Sequence, residues 1–239
     1  MTDVVAAPAP VRIPVRGSGV APDSTFPVRR SYCVGRNFAD HAREMGAAVP
    51  TSKAERGTPV FFCKPADAIV LDGVVPYPPG TQDLHHEIEL VVALGEGGRV
   101  FGYGVGLDLT RRDLQSAAKA KGLPWDTGKA FDHSAPVGAL LPAADVEPLA
   151  GRTLSLTVNG TVRQRSTLDQ LIWDVPEILA ELSALFELRA GDLVFMGTPA
   201  GVAALQPGDR FHARLGDIAD LQGRILPAAM HAVGTPTPG

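Results

Sequence analysis

The sequence predicts an α+β fold built on a large curved or rolled sheet, and three observations carry that expectation. Short apolar runs punctuated by glycine and proline recur along most of the 239 residues, which hold 26 Gly and 21 Pro. Only three stretches have helical spacing. A strong hairpin signal, Asn159-Gly160, joins two of the apolar runs, and that dipeptide favours the type I′ turn that matches strand twist.

In chain order, the start through about residue 26 is rich in Pro, Ala, Val and Gly, with one alternating piece, Val11 to Val15, read as an edge strand or a loose arm. Strands are expected at Ser31–Val34, Pro59–Cys63, Ile69–Val70, Glu89–Leu94, Val100–Asp108, Leu154–Val158, Leu193–Met196 and Phe211–Leu215. Each is short, apolar or β-branched, and bounded by turn formers. Asn37 followed by Asp40 resembles a capping box for a helix over 38–45 stopped by Gly46, and Thr110 or Asp113 can cap a second that runs to Lys121 and ends at Gly122. A third covers 175–186, with Pro176 in its first turn and Ile178, Leu179, Leu182 and Leu185 on one face. The ends read as an arm over 1–25 and a frayed tail over 229–239, flanking one domain over 26–228.

Composition narrows the function. The formal charge of -4 argues against nucleic acid or an anionic membrane as partner, and no run approaches the 18 apolar residues of a membrane span. Two cysteines, Cys33 and Cys63, sit in strand-like runs without metal-ligand spacing and read as free thiols in a reducing cytoplasm.

Three carboxylates interrupt apolar segments: Glu87 and Glu89 in His86-Glu87-Ile88-Glu89-Leu90, and Asp108 in Gly106-Leu107-Asp108-Leu109. On a strand rising about 3.3 Å per residue, Glu87 and Glu89 point the same way with backbones roughly 7 Å apart. Their charges would repel by roughly 2 kcal/mol at an effective dielectric near 20, so a cation is needed if they are buried. Oxygen-only ligands favour Mg2+ or Mn2+ over zinc. The spacing also fits a solvent-facing row alternating with Ile88 and Leu90; Asp108, in a segment without polar alternation, moves the balance to a metal site.

Other constellations have two readings each. His41 and Glu44, three apart on the first helix, suit a general base and its orienting carboxylate, and equally an exposed helical turn. Arg112, Gln115 and Lys119 leave the Asp108 strand on one helix, with Lys129 beyond; they fit carboxylate binding or a plain basic surface. Thr198 in Gly197-Thr198-Pro199 and Lys64 at the end of Phe61-Phe62-Cys63 are an anion loop and a strand-end cation, or a common turn and a rim residue. His85 and His86 would face opposite sides of one strand, and supporting roles are expected for both. His133 and His212 receive none.

In this order the segments Tyr32-Cys33-Val34-Gly35-Arg36-Asn37-Phe38-Ala39-Asp40-His41 with Glu44, Phe62-Cys63-Lys64-Pro65, His86 to Leu90, Asp108 to Asp113, Gly122-Leu123-Pro124-Trp125 with Lys129, and Gly197-Thr198-Pro199 resemble the fumarylacetoacetate hydrolase family from about Phe26 to Ile225. Phe38 stands where a tyrosine is frequent in that family, and Leu109 where a methionine is. The resemblance is nearest to its short acylpyruvate hydrolases, those cleaving fumarylpyruvate in particular. It implies a mixed β-roll, a homodimer, and one Mg2+ or Mn2+ per subunit on Glu87, Glu89 and Asp108. It further implies His41, Glu44 and Lys129 as catalytic residues, the first two on a lid, and Arg36, Lys64, Arg112, Gln115, Lys129 and Thr198 as contacts to a small anionic 2-keto acid. The implied reaction is hydrolysis of a carbon–carbon bond. Oxaloacetate decarboxylation or dienoate isomerisation on the same platform is the alternative, and a non-catalytic 2-keto acid binder the alternative of another class.

Overall fold

The computed structural model describes residues 4–44, 46, 50, 52–146 and 148–228. Strands β1 (Arg12–Pro14), β2 (Thr25–Pro27) and β3 (Arg30–Gly35) lead into helix α1 (Ala39–Glu44). Then come β4 (Val60–Lys64), β5 (Ile69–Val70), β6 (Val74–Pro76), β7 (Leu84–His86), β8 (Ile88–Leu94) and β9 (Val100–Leu107). β10 (Thr110–Arg111) runs straight into α2 (Arg112–Lys121), followed by α3 (Asp126–Lys129), β11 (Ala135–Pro136), β12 (Leu141–Pro142), β13 (Thr153–Val158) and β14 (Thr161–Thr167). α4 (Val175–Leu185) precedes β15 (Asp192–Phe195), β16 (Ala203–Ala204), β17 (Arg210–Leu215) and β18 (Ala219–Leu226). This is the expected α+β fold.

Two sheets dominate. One has the order β12-β9-β8-β15-β3-β4, the other β14-β13-β17-β18-β6. Both are mixed: β15 runs parallel to β3 and β18 parallel to β6, while the remaining pairs in each are antiparallel. Leu90, Val92, Val105 and Leu107 of the first sheet meet Leu154, Leu156, Phe211 and Leu215 of the second in the main core. On the opposite face of the first sheet, Val91, Ala93, Leu193 and Phe195 pack with Ile13, Val15, Phe26 and Leu140. β8 is therefore covered on both sides and all seven of its residues are buried, which is why its sequence runs apolar instead of alternating. That burial removes the solvent-facing reading of Glu89.

Local chemistry accounts for the elements. Asn159 and Gly160 both adopt positive φ, 51° and 78°, as a type I′ turn between β13 and β14 requires. α4 starts with a true capping box, in which Asp174 and Glu177 accept each other's backbone N–H, with Pro176 in the first turn. Its inner face is Ile178 and Leu182; Leu185, expected on that face, is exposed. α2 ends at Gly122 in the left-handed region, φ 64°.

Neither expected cap of α2 acts as one. Thr110 belongs to β10 and turns its hydroxyl to the Asp108 carbonyl, while Asp113 accepts from Thr81 and from Leu114 N–H. The capping box at Asn37 is also absent, because the Asn37 amide reaches 136 and 159 residues down the chain to Trp173 and Met196. Tertiary partners outcompete a local cap. The N-terminal stretch read as an edge strand or loose arm contributes β1, whose Ile13 is fully buried against the domain. No helix of the described residues is long and apolar enough to cross a membrane.

Candidate active site

The open end of the β8–β9 hairpin creates the site. Ile88 pairs with Leu107, so the next residues outward, Glu87 and Asp108, are cross-strand neighbours, tied by Asp108 N–H donating to the Glu87 carbonyl at 2.8 Å. Glu89 points to the same side. Carboxylate oxygens of Glu87, Glu89 and Asp108 lie within 4.8 Å of one another, and all three residues are buried. At that separation and an effective dielectric near 20, each pair of charges repels by at least about 3.5 kcal/mol.

The three acids differ in how this is offset. Burial would raise the Glu87 carboxyl, but Lys129 and Arg112 overcome it and hold it well below the usual carboxylate range. Lys129 Nζ donates to Glu87 Oε2 at 2.7 Å, to Asp108 Oδ2 at 2.6 Å and to Thr110 Oγ1 at 2.7 Å. These acids in turn overcome burial and raise the Lys129 ammonium above its ordinary value. Arg112 donates to Glu87 Oε1, to Gln115 Oε1 at 2.7 Å and to His85 Nδ1 at 3.3 Å. Among the described residues no cation pairs directly with Glu89: one N–H, from Gly197 at 2.8 Å, meets its Oε2, and burial beside Asp108 and Glu87 pushes its carboxyl well up against the weaker pull of Lys129. Gly197 reaches it with φ 93°, packed so that a Cβ would lie 2.7 Å from Asn37 Cβ. Among the described residues Asp108 Oδ1 accepts no hydrogen bond, although the Lys64 ammonium stands 2.9 Å away off the hydrogen-bond direction.

An all-oxygen, fully buried triad with one carboxylate lacking a cation and one oxygen lacking a donor fits a hard divalent ion, Mg2+ or Mn2+.

His41 faces this centre from the other wall. Its Nδ1 lies 3.1 Å from Glu44 Oε2, and the second oxygen of Glu44 accepts from Gly201 N–H at 3.0 Å. A proton on Nδ1 shared with Glu44 leaves Nε2 as the free base. His41, Arg36, Arg112, Gln115, Lys119, Lys129 and Thr198 line one cleft with the three acids, closed on one side by Phe62 and Trp125.

Of the residues expected from the sequence, Lys64 and Glu44 do not line the cleft. Lys64 is 1 % exposed, beneath Asp108, with its ammonium on the Leu109 carbonyl at 3.1 Å and the Lys129 carbonyl; burial lowers its pKa against the pull of Asp108. It serves as a fixed countercharge behind the ligand. His85 stands beside Arg112 and Glu87, as strand alternation implies, and His86 on the opposite side meets Gln164.

Gln164 is the residue that sequence reading passed over. Its Nε2 donates to Thr198 Oγ1 and the Pro199 carbonyl, both at 2.8 Å. Its Oε1 accepts from Ile88 N–H at 3.1 Å and from His86 Nδ1 at 2.9 Å. Four partners thus hold one buried amide between β8 and the Thr198 loop. The signal available was a glutamine in an otherwise exposed strand, too common to stand out.

Comparison with known proteins agrees with this geometry. Residues 30–226 match the family model described as fumarylacetoacetate hydrolase C-terminal. A crystal structure of fumarylpyruvate hydrolase from Pseudomonas aeruginosa in complex with Mn2+ and pyruvate is 48% identical, covers 95% of this chain and 100% of that one, and superposes with a TM-score of 0.87. A fumarylpyruvate hydrolase of a Ralstonia species is 41% identical over 179 residues, 70% of this chain and 93% of the relative. The oxaloacetate tautomerase YcgM of Escherichia coli K12 is as similar, 42% over 197 residues, 77% of this chain and 87% of the relative. The enzyme class expected from the sequence, a hydrolase of carbon–carbon bonds, agrees with the family and with the hydrolase relatives. The chain belongs to the fumarylacetoacetate hydrolase family.

Proposed function

We propose that this protein hydrolyses an acylpyruvate at the bond between its acyl carbon and the pyruvyl methylene, with fumarylpyruvate, giving fumarate and pyruvate, as the leading substrate. The observation that carries the reading is His41, backed by Glu44 outside the cleft, lining one cleft with the buried acidic triad. When bound, a divalent ion at Glu87, Glu89 and Asp108 would supply Lewis-acid polarisation of the 2-keto acid.

The protein's own groups do the rest. Arg112 and Lys129 present positive charge to the substrate carboxylate. Thr198 Oγ1 already accepts from Gln164, so its own proton is free to be donated to substrate. Gln115 has spent its oxygen on Arg112, leaving its amide N–H groups to hold water or a substrate oxygen. His41 Nε2 takes a proton from water, whose oxygen adds to the acyl carbonyl carbon. Collapse of the tetrahedral adduct breaks the carbon–carbon bond, and its electron pair passes to the pyruvyl fragment, which is protonated to pyruvate. Base catalysis of this kind contributes about 10²–10⁴.

Oxaloacetate chemistry is the second reading, favoured by the comparable similarity to the tautomerase; it requires no hydrolytic base. Pyruvate release from fumarylpyruvate and acetylpyruvate, and both keto–enol exchange and pyruvate release from oxaloacetate, compared side by side with Mn2+ and with EDTA, separate the two. Turnover of oxaloacetate with neither acylpyruvate cleaved would reject the hydrolase. The proposal also includes a homodimer, the single catalytic domain over 26–228, and a cytoplasmic setting, the last supported by two unpaired cysteines.

A further inference from the structure

Two cations in the cleft lack a carboxylate. Arg112 and Lys129 are committed to Glu87 and Asp108, and Lys64 lies beneath Asp108. Arg36 and Lys119 line the same cleft, yet among the described residues neither pairs with an acid. Lys119 instead sits over the Trp125 ring, 4.9 Å from its centroid. Burial and the like charges of Arg112, Lys129 and Arg36 lower its pKa to about 8, only partly opposed by Glu87. Arg36 holds a left-handed φ of 58° where a residue other than glycine is strained. Uncompensated positive charge in a partly closed cleft is held there against mutual repulsion, and an anionic ligand relieves it.

The placement sets the length of that anion. Arg112, Gln115 and Lys119 occur at i, i+3 and i+7 of α2 and form one stripe into the cleft. Seven residues of helix rise about 10 Å from Arg112, beside the triad, to Lys119. An extended seven-carbon diacid, six bonds of about 1.5 Å each, spans roughly 7–8 Å between carboxyl carbons, and a four-carbon diacid about half of that. The longer chain covers most of the stripe.

We propose that Arg36 and Lys119 form a second anion subsite that binds the far carboxylate of a dicarboxylic acylpyruvate, and so select acidic over neutral acyl groups. This rests on the acylpyruvate reading above and names its substrate class.

The test compares kcat/KM for fumarylpyruvate, with two carboxylates, and acetylpyruvate, with one, in the parent enzyme and in Lys119→Met, Arg36→Gln and Lys119→Arg. The preference for the dicarboxylate is expected to fall about 10- to 100-fold in the two charge-removing variants, as loss of a charged hydrogen bond predicts, and to recover in Lys119→Arg. A preference within twofold of the parent in both Lys119→Met and Arg36→Gln would overturn the subsite. Should the parent cleave neither compound, the hydrolase reading fails instead. The subsite is then read by calorimetry, titrating the same two compounds into Mn2+-loaded parent and Lys119→Met protein. The same fall in relative affinity supports it, and an unchanged ratio of dissociation constants rejects it.

Discussion

The floor of the cleft and the wall that carries His41 are built to different standards. Glu89 and Asp108, carried by the β8–β9 hairpin, and Lys129, at the end of α3, are each at most 3 % exposed, and Lys64 from β4 braces Asp108 from beneath. The opposite wall is six residues of α1, and its Glu44 side chain is 36% exposed and tied down by one N–H from Gly201. The floor holds charges whose misplacement would be costly in a low dielectric. The wall holds a base that has only to approach the reacting water. The contrast implies that binding of the ion and of the 2-keto acid is fixed before His41 takes part, so the two functions should separate on mutation.

Breaking the floor should have the largest effect. Glu89→Gln removes a ligand charge with little change in volume, and kcat/KM for pyruvate release should fall by at least about 10³, since an ion of this kind stabilises by several kcal/mol. Mn2+ affinity measured by calorimetry should fall with it, and EDTA should abolish activity of the parent; retained Mn2+ affinity would refute the ligand assignment. Breaking the wall should cost less and differently. His41→Ala should lose about 10²–10³ in kcat, within the range for a general base, with Mn2+ affinity unaltered. Glu44→Gln keeps an acceptor for the Gly201 N–H but not the charge that orients His41, and a loss of about tenfold is expected, as for other groups that orient a functional histidine.

The smallest effect sharpens the comparison at the edge of the wall. Glu177 caps α4 and also receives Lys53 at 2.6 Å and Arg56 at 2.8 Å from the segment that follows α1. Those hydrogen bonds, chiefly that from Lys53, lower its pKa to about 2. A depressed carboxyl stabilises the fold above its unfolded pKa near 4.5, and the contribution is lost as pH falls from there toward 2. Glu177→Gln should therefore lower stability by about 1 kcal/mol at pH 7, a figure kept small by solvent screening. The gap between variant and parent in urea denaturation should narrow as pH falls from about 4.5 and be nearly gone at about pH 2, and a gap as wide at pH 2 as at pH 7 would reject the charged cap.

How far the sequence discloses this design follows from the range of each interaction. The triad is visible because strand alternation places Glu87 and Glu89, and the hairpin then brings up Asp108 from a run of the same kind. The Asn159-Gly160 turn, α2 and α4 are equally local. Lys64 is opaque: a lysine ending a strand is ordinarily a rim residue, and only the packing of β4 against α3 buries it. Asn37 misleads for a related reason, since its spacing to Asp40 fits a cap while its amide is spent on Trp173 and Met196. α3, four residues long, has no periodicity to find. The N-terminal β1 was ambiguous because its burial depends on Phe26 and Leu140, not on its own pattern.

The Gln164 amide has a consequence beyond its hydrogen bonds. It belongs to β14, an edge strand of the second sheet, yet it grips the first sheet at Ile88, between two metal-ligand candidates, and the substrate loop at Thr198. The two sheets are thereby geared together at the place where chemistry occurs. A sequence change that tilts β14 would displace ion and substrate contacts in concert, preserving their mutual geometry while shifting both against His41. Divergence of activity on this scaffold has a mechanical route that touches no residue of the cleft.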